Sequence, residues 1–334
     1  MYRDNPITES RIYFDTTLRD GPSSLPASGI SCTVSFDAIN GLLYSLSSSL
    51  NVLFRRIVTS HHARISPTAK LAAFLRAETD IPYCHQIAEM CDAEEVSRTF
   101  NPGFIANHRA YIELRFKSLN AFIHRLGFRQ VLEFAGGVAP RGLILSEDPS
   151  MLIVETDLPE LLEEKRLIVK ALIPLSERTN YHLHPANALQ NEEVWNAAGL
   201  LKREPITVVH EGLLQFLTMS ERRQFARNIR SLLKVFGGAW ITSDVVIRES
   251  FERFYPETKQ ASTLKRVTEV TGRSIAEDAF VDWEAATSFF KEEGFAVERF
   301  KQIDLVPEMR SRVFEPQVLE RIEYEEVWVM RLMN

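Results

Sequence analysis

QVLEFAGGVAPRG, residues 130–142, contains the clearest structural signal in this chain of 334 residues. Val131–Phe134 is a short apolar run that is typical of a buried strand in a parallel sheet. Residues 135–137 are an alanine and two glycines, so the backbone can turn sharply, and Pro140 suits the first turn of a helix. This order predicts a ligand-binding loop at the carboxyl end of a strand. A tight turn that binds nothing is the alternative.

The loop lacks the two common phosphate-binding patterns. It contains no G-x-G-x-x-G, and no Lys-Ser or Lys-Thr pair follows its glycines. Arg141 instead stands at the predicted helix start, where it can meet a small anion, and Glu133 stands at the strand end, where it can accept hydrogen bonds. These residues predict a ligand with a carboxylate, an ammonium group and a ribose. A solvated helix residue is the alternative for Arg141.

The composition is that of an ordinary globular protein, with 45% hydrophobic and 25% charged residues. The net charge of -6 disfavours nucleic acid and anionic membranes as partners. No apolar run reaches the roughly 18 residues of a membrane span, and the polar N-terminus has no signal-peptide core. Cys32, Cys84 and Cys91 have no metal-ligand spacing, which predicts buried thiols in a reducing compartment. We therefore expect a cytoplasmic protein without a metal site, and the sequence does not indicate its oligomeric state.

Hydrophobic spacing divides the chain at residue 127. Residues 1–34 show little periodicity, and apolar residues then recur at three- and four-residue steps as far as Leu126. We interpret residues 1–127 as an N-terminal arm and helical cap. Residues 128–334 form the second predicted domain, in which 245–280 are an irregular cap insertion.

Strand and helix patterns alternate beyond residue 127, which predicts a parallel sheet with right-handed crossovers. The predicted strands are Val131–Phe134, Met151–Glu155, Tyr181–His184, Ile206–His210 and Ala239–Ser243. The predicted helices between them are 158–173, 190–200 and 218–235, and the last starts with a capping box at 218–221.

The end of the chain breaks this alternation. A helix predicted at 282–293 stops at Gly294, and the strand-like segments 295–300 and 324–332 have no crossover helix between them. We therefore predict that these two segments pair antiparallel, as a hairpin at one edge of the sheet. The predicted fold class is α/β, a doubly wound and mainly parallel seven-stranded sheet with a C-terminal antiparallel hairpin.

Four segments together resemble one protein family in order and spacing. They are LEFAGGVAPRGL (132–143), VETDLPELLEEKR (154–166), HPANAL (184–189) and VVHEGLLQFLTMSE (208–221). The chain resembles class I S-adenosylmethionine-dependent methyltransferases, specifically the leucine carboxyl methyltransferase-like branch that includes bacterial O-methyltransferases of polyketide-type metabolism. The resemblance runs from residue 130 to the end. It implies a Rossmann-like methyltransferase fold and S-adenosylmethionine as the cofactor.

The resemblance also implies contacts between the cofactor and residues at the matching positions. The loop under the methionine part would consist of Glu133, Ala135, Gly136 and Gly137. Arg141 would bind the cofactor carboxylate, and Arg109 or Arg115 on the preceding helix would reach it too. The ribose would meet Asp157 and Leu158, the adenine would meet Asn187 and Ala188, and the ammonium or sulfonium end would face Glu211.

Some of these positions depart from the family pattern or have a simpler explanation. Asn187 stands where the family usually has aspartate, and Ala135 and Ala139 stand where many members have glycine, which tightens the loop. Asp157 could instead cap the next helix, because aspartate is a favoured N-cap residue. Glu211 could be a helix-start carboxylate, and the arginines before the first strand could form a charged helix face.

The strand-end histidines are the candidate bases. His182 and His184 alternate along one predicted strand and so share a face, and His210 ends another strand. A neutral imidazole at His210 could take a proton from a hydroxyl acceptor. A hydrogen-bonded core histidine is the alternative, and a carboxylate acceptor would need no base.

The leading interpretation is an enzyme that transfers a methyl group to an oxygen of a small-molecule hydroxyl or carboxylate, largely by orienting its reactants. One alternative is a noncatalytic protein that keeps the fold as a binding module. The other is an NAD(P)-dependent oxidoreductase, which the missing glycine fingerprint disfavours. The identity of the acceptor is not indicated by any motif.

Overall fold

A computed structural model describes residues 67–98, 102–174, 178–249, 278–306, 308–309 and 322–333. The predicted N-terminal arm, the helical pattern before residue 67 and most of the predicted 245–280 insertion lie outside these residues. The division into a cap and a second domain therefore stays a prediction.

The four helices predicted at 158–173, 190–200, 218–235 and 282–293 lie within two residues of their predicted bounds. The described helices are α1 (Pro67–Ala77), α2 (Cys84–Met90), α3 (Ala93–Ser97), α4 (Pro102–Leu126), α5 (Arg141–Leu145), α6 (Pro159–Leu172), α7 (Asn191–Ala198), α8 (Met219–Phe236), α9 (Trp283–Glu292) and α10 (Gln302–Leu305). Helix α4 ends before Gly127, whose φ of +71° lies in the left-handed region that glycine adopts readily. The short α10 was not predicted, because one turn is too brief to show a hydrophobic period.

The strands form one seven-stranded sheet in the order β3-β2-β1-β4-β5-β7-β6. They are β1 (Gln130–Phe134), β2 (Leu152–Asp157), β3 (Tyr181–Pro185), β4 (Ile206–His210), β5 (Gly238–Thr242), β6 (Phe295–Lys301) and β7 (Glu326–Leu332). The first five strands are parallel to one another. From β1 the chain first builds the sheet outward through β2 and β3 and then returns to add β4 on the other side of β1. The carboxyl ends of β1 and β4 therefore flank the crevice where ligands bind in such sheets.

The C-terminal strands pair antiparallel, as predicted. Strand β7 pairs with β6 from Phe295 opposite Leu332 to Lys301 opposite Glu326, and its other side pairs antiparallel with β5. Strand β7 therefore lies between β5 and β6, and β6 forms the edge of the sheet. This strand order and the single reversed strand confirm the predicted fold class, a doubly wound and mainly parallel seven-stranded sheet with an antiparallel C-terminal pair.

Two hydrophobic cores cover the two faces of the sheet. Side chains of α4, α5 and α6 pack on one face, where they meet Val131, Ile153 and Val209. Side chains of α7, α8 and α9 pack on the other face around Trp240 and Trp328. Because neighbouring strand residues point to opposite faces, Glu133 lies on the α5–α6 side and His210 lies on the α8 side. The carboxylate of Glu133 and the imidazole of His210 therefore lie on opposite faces of the sheet.

Two of the three cysteines fall within the described residues. Cys84 and Cys91 are buried free thiols, in agreement with the prediction, and burial raises the pKa of each to about 12. Among the described helices, none combines the length and apolar composition that crossing a membrane requires. The described part of the chain also contains no group of three or more His, Cys, Asp or Glu side chains that could hold a metal ion.

Candidate active site

The loop after β1 turns through the left-handed region twice. Ala135 and Gly137 both have a φ of +53°, and the Gly136 N–H donates to the carbonyl of Thr156 on the neighbouring strand at 3.1 Å. A left-handed alanine costs roughly 1 kcal/mol, so the surrounding contacts must hold this turn in place. A Cβ on Gly137 would meet no atom within 4 Å, so the loop presents an open side at that position.

Asp157, at the end of β2, fastens this loop. Its Oδ2 accepts a hydrogen bond from the Gly137 N–H at 2.8 Å, and its Oδ1 accepts one from the Leu158 N–H at 2.8 Å. Burial raises the pKa of Asp157, and these two N–H groups oppose the rise. The N-cap of α6 is Leu158, so Asp157 is not the capping residue. Each carboxylate oxygen can accept a further hydrogen bond, which leaves capacity for a ligand hydroxyl.

Arg141 and Glu211 join in a buried ionic network. Glu211 binds Arg76 Nη2 at 2.7 Å through Oε1 and Arg141 Nη2 at 2.6 Å through Oε2. Arg141 Nε also donates to Glu133 Oε1 at 2.9 Å. Burial acts to raise the pKa of Glu211, but the charges of Arg76, Arg141 and Arg115 outweigh it and hold that pKa below its ordinary value.

Arg141 is not placed where a ligand could reach it. Its side chain is 0% exposed and its Nη1 donates to Asn120 and to the carbonyl of Phe116. This burial does not fit the alternative that Arg141 is a solvated helix residue. It does not fit the predicted contact of Arg141 with a ligand carboxylate either. The reason is that Glu133 and Glu211, at the ends of neighbouring strands, lie beside the start of α5 and bind the guanidinium themselves.

A cleft of about 300 Å³ lies above the carboxyl ends of the central strands. Glu133, the loop at 135–137, Asp157 and Glu211 form its floor, and side chains of α1 and α4 form its walls. Among the described residues, Arg76 and Arg115 are the arginines that line it, and Arg109 and Arg141 do not. Ligand sites of small molecules begin at about this size.

Aromatic side chains of α4 give one wall of the cleft an apolar character. Phe104, His108 and Tyr111 line it, and the ring of His108 stacks on that of Phe104 with centroids 3.7 Å apart. His108 Nδ1 lies 2.9 Å from the Phe104 carbonyl, which can only accept, so Nδ1 carries the proton. Burial lowers the pKa of His108 to about 4, against the opposing effect of that carbonyl. The His108 imidazole, which forms part of this wall, is therefore neutral at physiological pH.

The predicted base His210 lies outside the cleft. Its ring is fully buried, with centroids 5.3 Å from Phe225 and 5.8 Å from Trp240. Its Nδ1 lies 2.9 Å from Asp244 Oδ2, and its Nε2 has no hydrogen-bond partner among the described residues. The structure therefore matches the alternative of a core histidine, because alternation along β4 directs this side chain to the α8 face.

The predicted adenine residues are not brought into the cleft either. The Asn187 side-chain oxygen accepts a hydrogen bond from the Leu189 N–H at 3.0 Å, and the backbone N–H of Asn187 donates to Glu193 Oε2 at 2.7 Å. The Ala188 carbonyl accepts from Asn228 at 2.9 Å. Leu158 is 51% exposed, at the surface beside Asp157.

Sequence reasoning missed Arg76 and Asp244. Arg76 lies in the last turn of α1 and reaches Glu211 across the cleft, 135 residues away in sequence. Asp244 follows β5 and accepts hydrogen bonds from the segment after β4 and from Arg115. An arginine in a helix and an aspartate after a strand are common, so neither carried a signal of its own.

No protein-family model and no curated protein matches this chain. Solved structures do show similarity to it. The methyltransferase domain of bacterial CtHen1 is 13% identical, with 66% of this chain and 98% of that domain covered, at a TM-score of 0.42. An O-methyltransferase family protein from Burkholderia thailandensis is also 13% identical, with 71% and 62% covered, at a TM-score of 0.42.

A third similar structure is NcsB1, an O-methyltransferase from neocarzinostatin biosynthesis in complex with S-adenosyl-L-homocysteine and 1,4-dihydroxy-2-naphthoic acid. It is 12% identical, with 67% of this chain and 55% of NcsB1 covered, at a TM-score of 0.42. The chain thus spans less than two thirds of the length of NcsB1 and of the Burkholderia protein. Similarity at this level carries no argument about function, which has to come from the cleft itself.

Proposed function

We propose that the protein transfers a methyl group from S-adenosylmethionine to an oxygen of a small molecule bound in the cleft. The observation that carries the proposal is the pairing of Gly137 with Asp157. A loop of one alanine and two glycines lies beside a strand-end carboxylate at the carboxyl edge of β1 and β2, where a nucleoside would lie. The reversed strand β7 argues against the nicotinamide-dependent alternative, whose sheet has no such strand.

The residues that line the cleft fit the chemistry of this cofactor. Asp157 has lone pairs left for the ribose hydroxyls, and the open side of Gly137 leaves room for the backbone to approach a ligand closely. Among the described residues, Arg76 and Arg115 are the arginines that line the cleft and would meet the amino-acid carboxylate. The resemblance implied this role for Arg141, together with Arg109 or Arg115. Bound there, the cofactor would supply an activated methyl group on its sulfonium.

The protein would contribute orientation and exclusion of water. Transfer of a methyl group proceeds in line, so the acceptor oxygen must be held opposite the leaving sulfur. The wall formed by Phe104, His108 and Tyr111 suits an acceptor with an apolar or aromatic body. Because His210 is enclosed in the core, a base from β4 is not part of this mechanism.

Gly137→Ala tests whether the loop is the ligand site. The new methyl group would project into the cleft, so we expect the affinity of this variant for S-adenosylhomocysteine, measured by calorimetry, to fall at least about tenfold. We also expect that the wild-type protein does not bind NAD. Gly127→Ala is a matched control, because Gly127 also has a positive φ of +71° and no atom within 4 Å of the added Cβ, but it lies outside the cleft.

Equal affinity in the two glycine variants would exclude the loop as the ligand site. Binding of NAD in place of S-adenosylhomocysteine would favour the oxidoreductase alternative. Binding of S-adenosylmethionine without methyl transfer to any hydroxyl- or carboxylate-bearing acceptor tested would favour the noncatalytic one. Calorimetry of the ligands and the methyl-transfer assay together therefore separate all three functions.

A further inference from the structure

Asp244 accepts an unusual number of hydrogen bonds for one carboxylate. Its Oδ1 accepts from the Gly212 N–H at 2.7 Å and from Arg115 Nη2. Its Oδ2 accepts from the Leu213 N–H at 2.7 Å, the Leu214 N–H at 3.3 Å and His210 Nδ1 at 2.9 Å. The side chain is 0% exposed. Three of these donors are consecutive backbone groups, so the carboxylate fixes the conformation of the chain after β4.

Two of the groups that Asp244 binds, Arg115 and the Gly212 N–H, belong to residues that line the cleft, although Asp244 itself does not line it. Glu211, which precedes Gly212 in the chain, also contributes to the cleft surface. Arg115 reaches the cleft from α4, and its guanidinium lies 5.0 Å from the centroid of the Tyr111 ring. The Arg115 Nε has no hydrogen-bond partner among the described residues. Asp244 is therefore the anchor that connects this arginine to the segment after β4.

Charge gives the contact its strength. Burial acts to raise the pKa of Asp244, but the charge of Arg115 and the hydrogen bond from His210 hold it well below its ordinary value. The carboxylate is thus ionised at every pH where the protein would work. Hydrogen bonds to an ionised group are roughly twice as strong as neutral ones.

We propose that Asp244 is a positioning residue for ligand binding, which acts through Arg115 and the segment 211–214. His210 takes part as a support, since its Nδ1–H completes the set of donors around the carboxylate. The inference rests on the proposed function, because the ligand that reports it is S-adenosylhomocysteine. Its physical basis is that an arginine on a long side chain binds an anion well only when its direction is fixed in advance.

A double-mutant cycle on the full chain tests this role. We expect Asp244→Asn and Arg115→Met each to weaken S-adenosylhomocysteine binding about tenfold, the equivalent of one hydrogen bond to a charged group. The double variant should also be weakened only about tenfold, because two residues that act as a unit are not additive. Amide hydrogen exchange at 212–214 should rise in Asp244→Asn without any ligand.

Val329→Ala is the control for general loss of stability. Val329 is a fully buried residue of β7 and does not line the cleft, so this variant should be destabilised with its ligand affinity and its exchange at 212–214 unchanged. Wild-type affinity in Asp244→Asn would overturn the positioning role. A loss of about a hundredfold in the double variant would overturn the action through Arg115.

The two proposals fail in distinguishable ways. If the wild-type protein does not bind S-adenosylhomocysteine, the proposed function is wrong and the ligand role of Asp244 falls with it. If the wild-type protein binds and Asp244→Asn binds equally well, only the role of Asp244 is wrong.

Discussion

Arg141 lies in the first turn of α5 with its guanidinium between Glu133 and Glu211. The ring of Phe116 lies 4.6 Å from the guanidinium carbon and covers it. Removing one partner from such a buried ionic group leaves an uncompensated charge and costs about 3–5 kcal/mol. Arg141 therefore holds the strand ends together, and the neighbouring Arg76 and Arg115 remain beside the cleft.

Asp157 carries the prediction that belongs to the residue scale. Asp157→Ala should weaken S-adenosylhomocysteine binding by about 1.5–3 kcal/mol, because it removes the only strand-end carboxylate of β2 and frees the Gly137 N–H that this carboxylate fixes. Calorimetric titration of the folded variant measures the loss.

Asp282→Ala is the matched control for this change. Asp282 also accepts a backbone hydrogen bond, from the Ala285 N–H at 2.7 Å, but it caps α9 and does not line the cleft. It should lose stability and keep its affinity. If Asp157→Ala binds as the wild-type protein does, Asp157 only fastens the loop and has no ligand contact.

At the scale of elements, α8 shows how local sequence sets a boundary. Thr218 Oγ1 accepts from the Glu221 N–H at 3.3 Å, and Glu221 Oε2 accepts from the Thr218 N–H at 2.8 Å. This capping box satisfies two backbone donors at the helix start, and it confirms the capping box predicted at 218–221. A boundary of this kind is readable because all of its atoms lie within four residues.

Thr218→Ala should therefore reduce the free energy of unfolding by about 1 kcal/mol, the usual value of an N-cap side chain. Denaturation by urea measures the change. Thr287→Ala is the control, because the Thr287 hydroxyl donates to the Trp283 carbonyl at 2.7 Å inside α9 and caps no helix end. Its loss should stay within about 0.5 kcal/mol. Equal losses in both variants would mean that the capping box does not stabilise α8.

At the scale of the whole molecule, the buried carboxyls make the stability depend on pH. Glu133 lies opposite Glu155 in the β1–β2 register. Burial raises the pKa of Glu133 to about 8, and Glu155 adds to the rise against the charge of Arg141. Between its ordinary pKa and pH 8 the folded protein holds a proton here that the unfolded chain has lost. Stability therefore falls as pH rises through this range.

His108 acts in the opposite direction at lower pH. Its pKa is lowered from 6.5 to about 4, so the unfolded chain binds the additional proton between these values and stability rises with pH there. Above about pH 6.5 the effect of Glu133 is no longer opposed by that of His108. We expect the free energy of unfolding to fall between about pH 6.5 and 8, by at most about 1.4 kcal/mol per pH unit.

Glu133→Gln should flatten this decline when unfolding by urea is followed across the same pH range. Glu163→Gln should retain it, because Glu163 is an exposed carboxylate of α6 with a side chain that is 70% accessible. A decline of the same slope in Glu133→Gln would assign the proton to another group.

Much of the fold could be predicted because its signals are local. The apolar runs gave β1 to β5 within two residues at each end, and the missing crossover helix gave the antiparallel pairing of β6 with β7. The site could be predicted only in part. The glycine loop and Asp157 line the cleft, whereas Asn187 and His210 do not. Asn187 hydrogen-bonds within its own segment, and alternation along β4 directs the His210 ring into the core on the α8 side.

The sequence alone determined the alternation of strands and helices, the turn at 135–137 and the caps, because each depends on residues a few positions apart. Tertiary structure decided which charged residues face the cleft. Arg141, Glu211 and Arg76 lie as much as 135 residues apart in the chain and meet only when α1, α5 and β4 pack together. Burial then makes each guanidinium bind the nearest carboxylate, because an unpaired charge in the interior costs several kcal/mol. Tertiary packing thus determines that Arg76 and Arg115 line the cleft and that Arg141 does not.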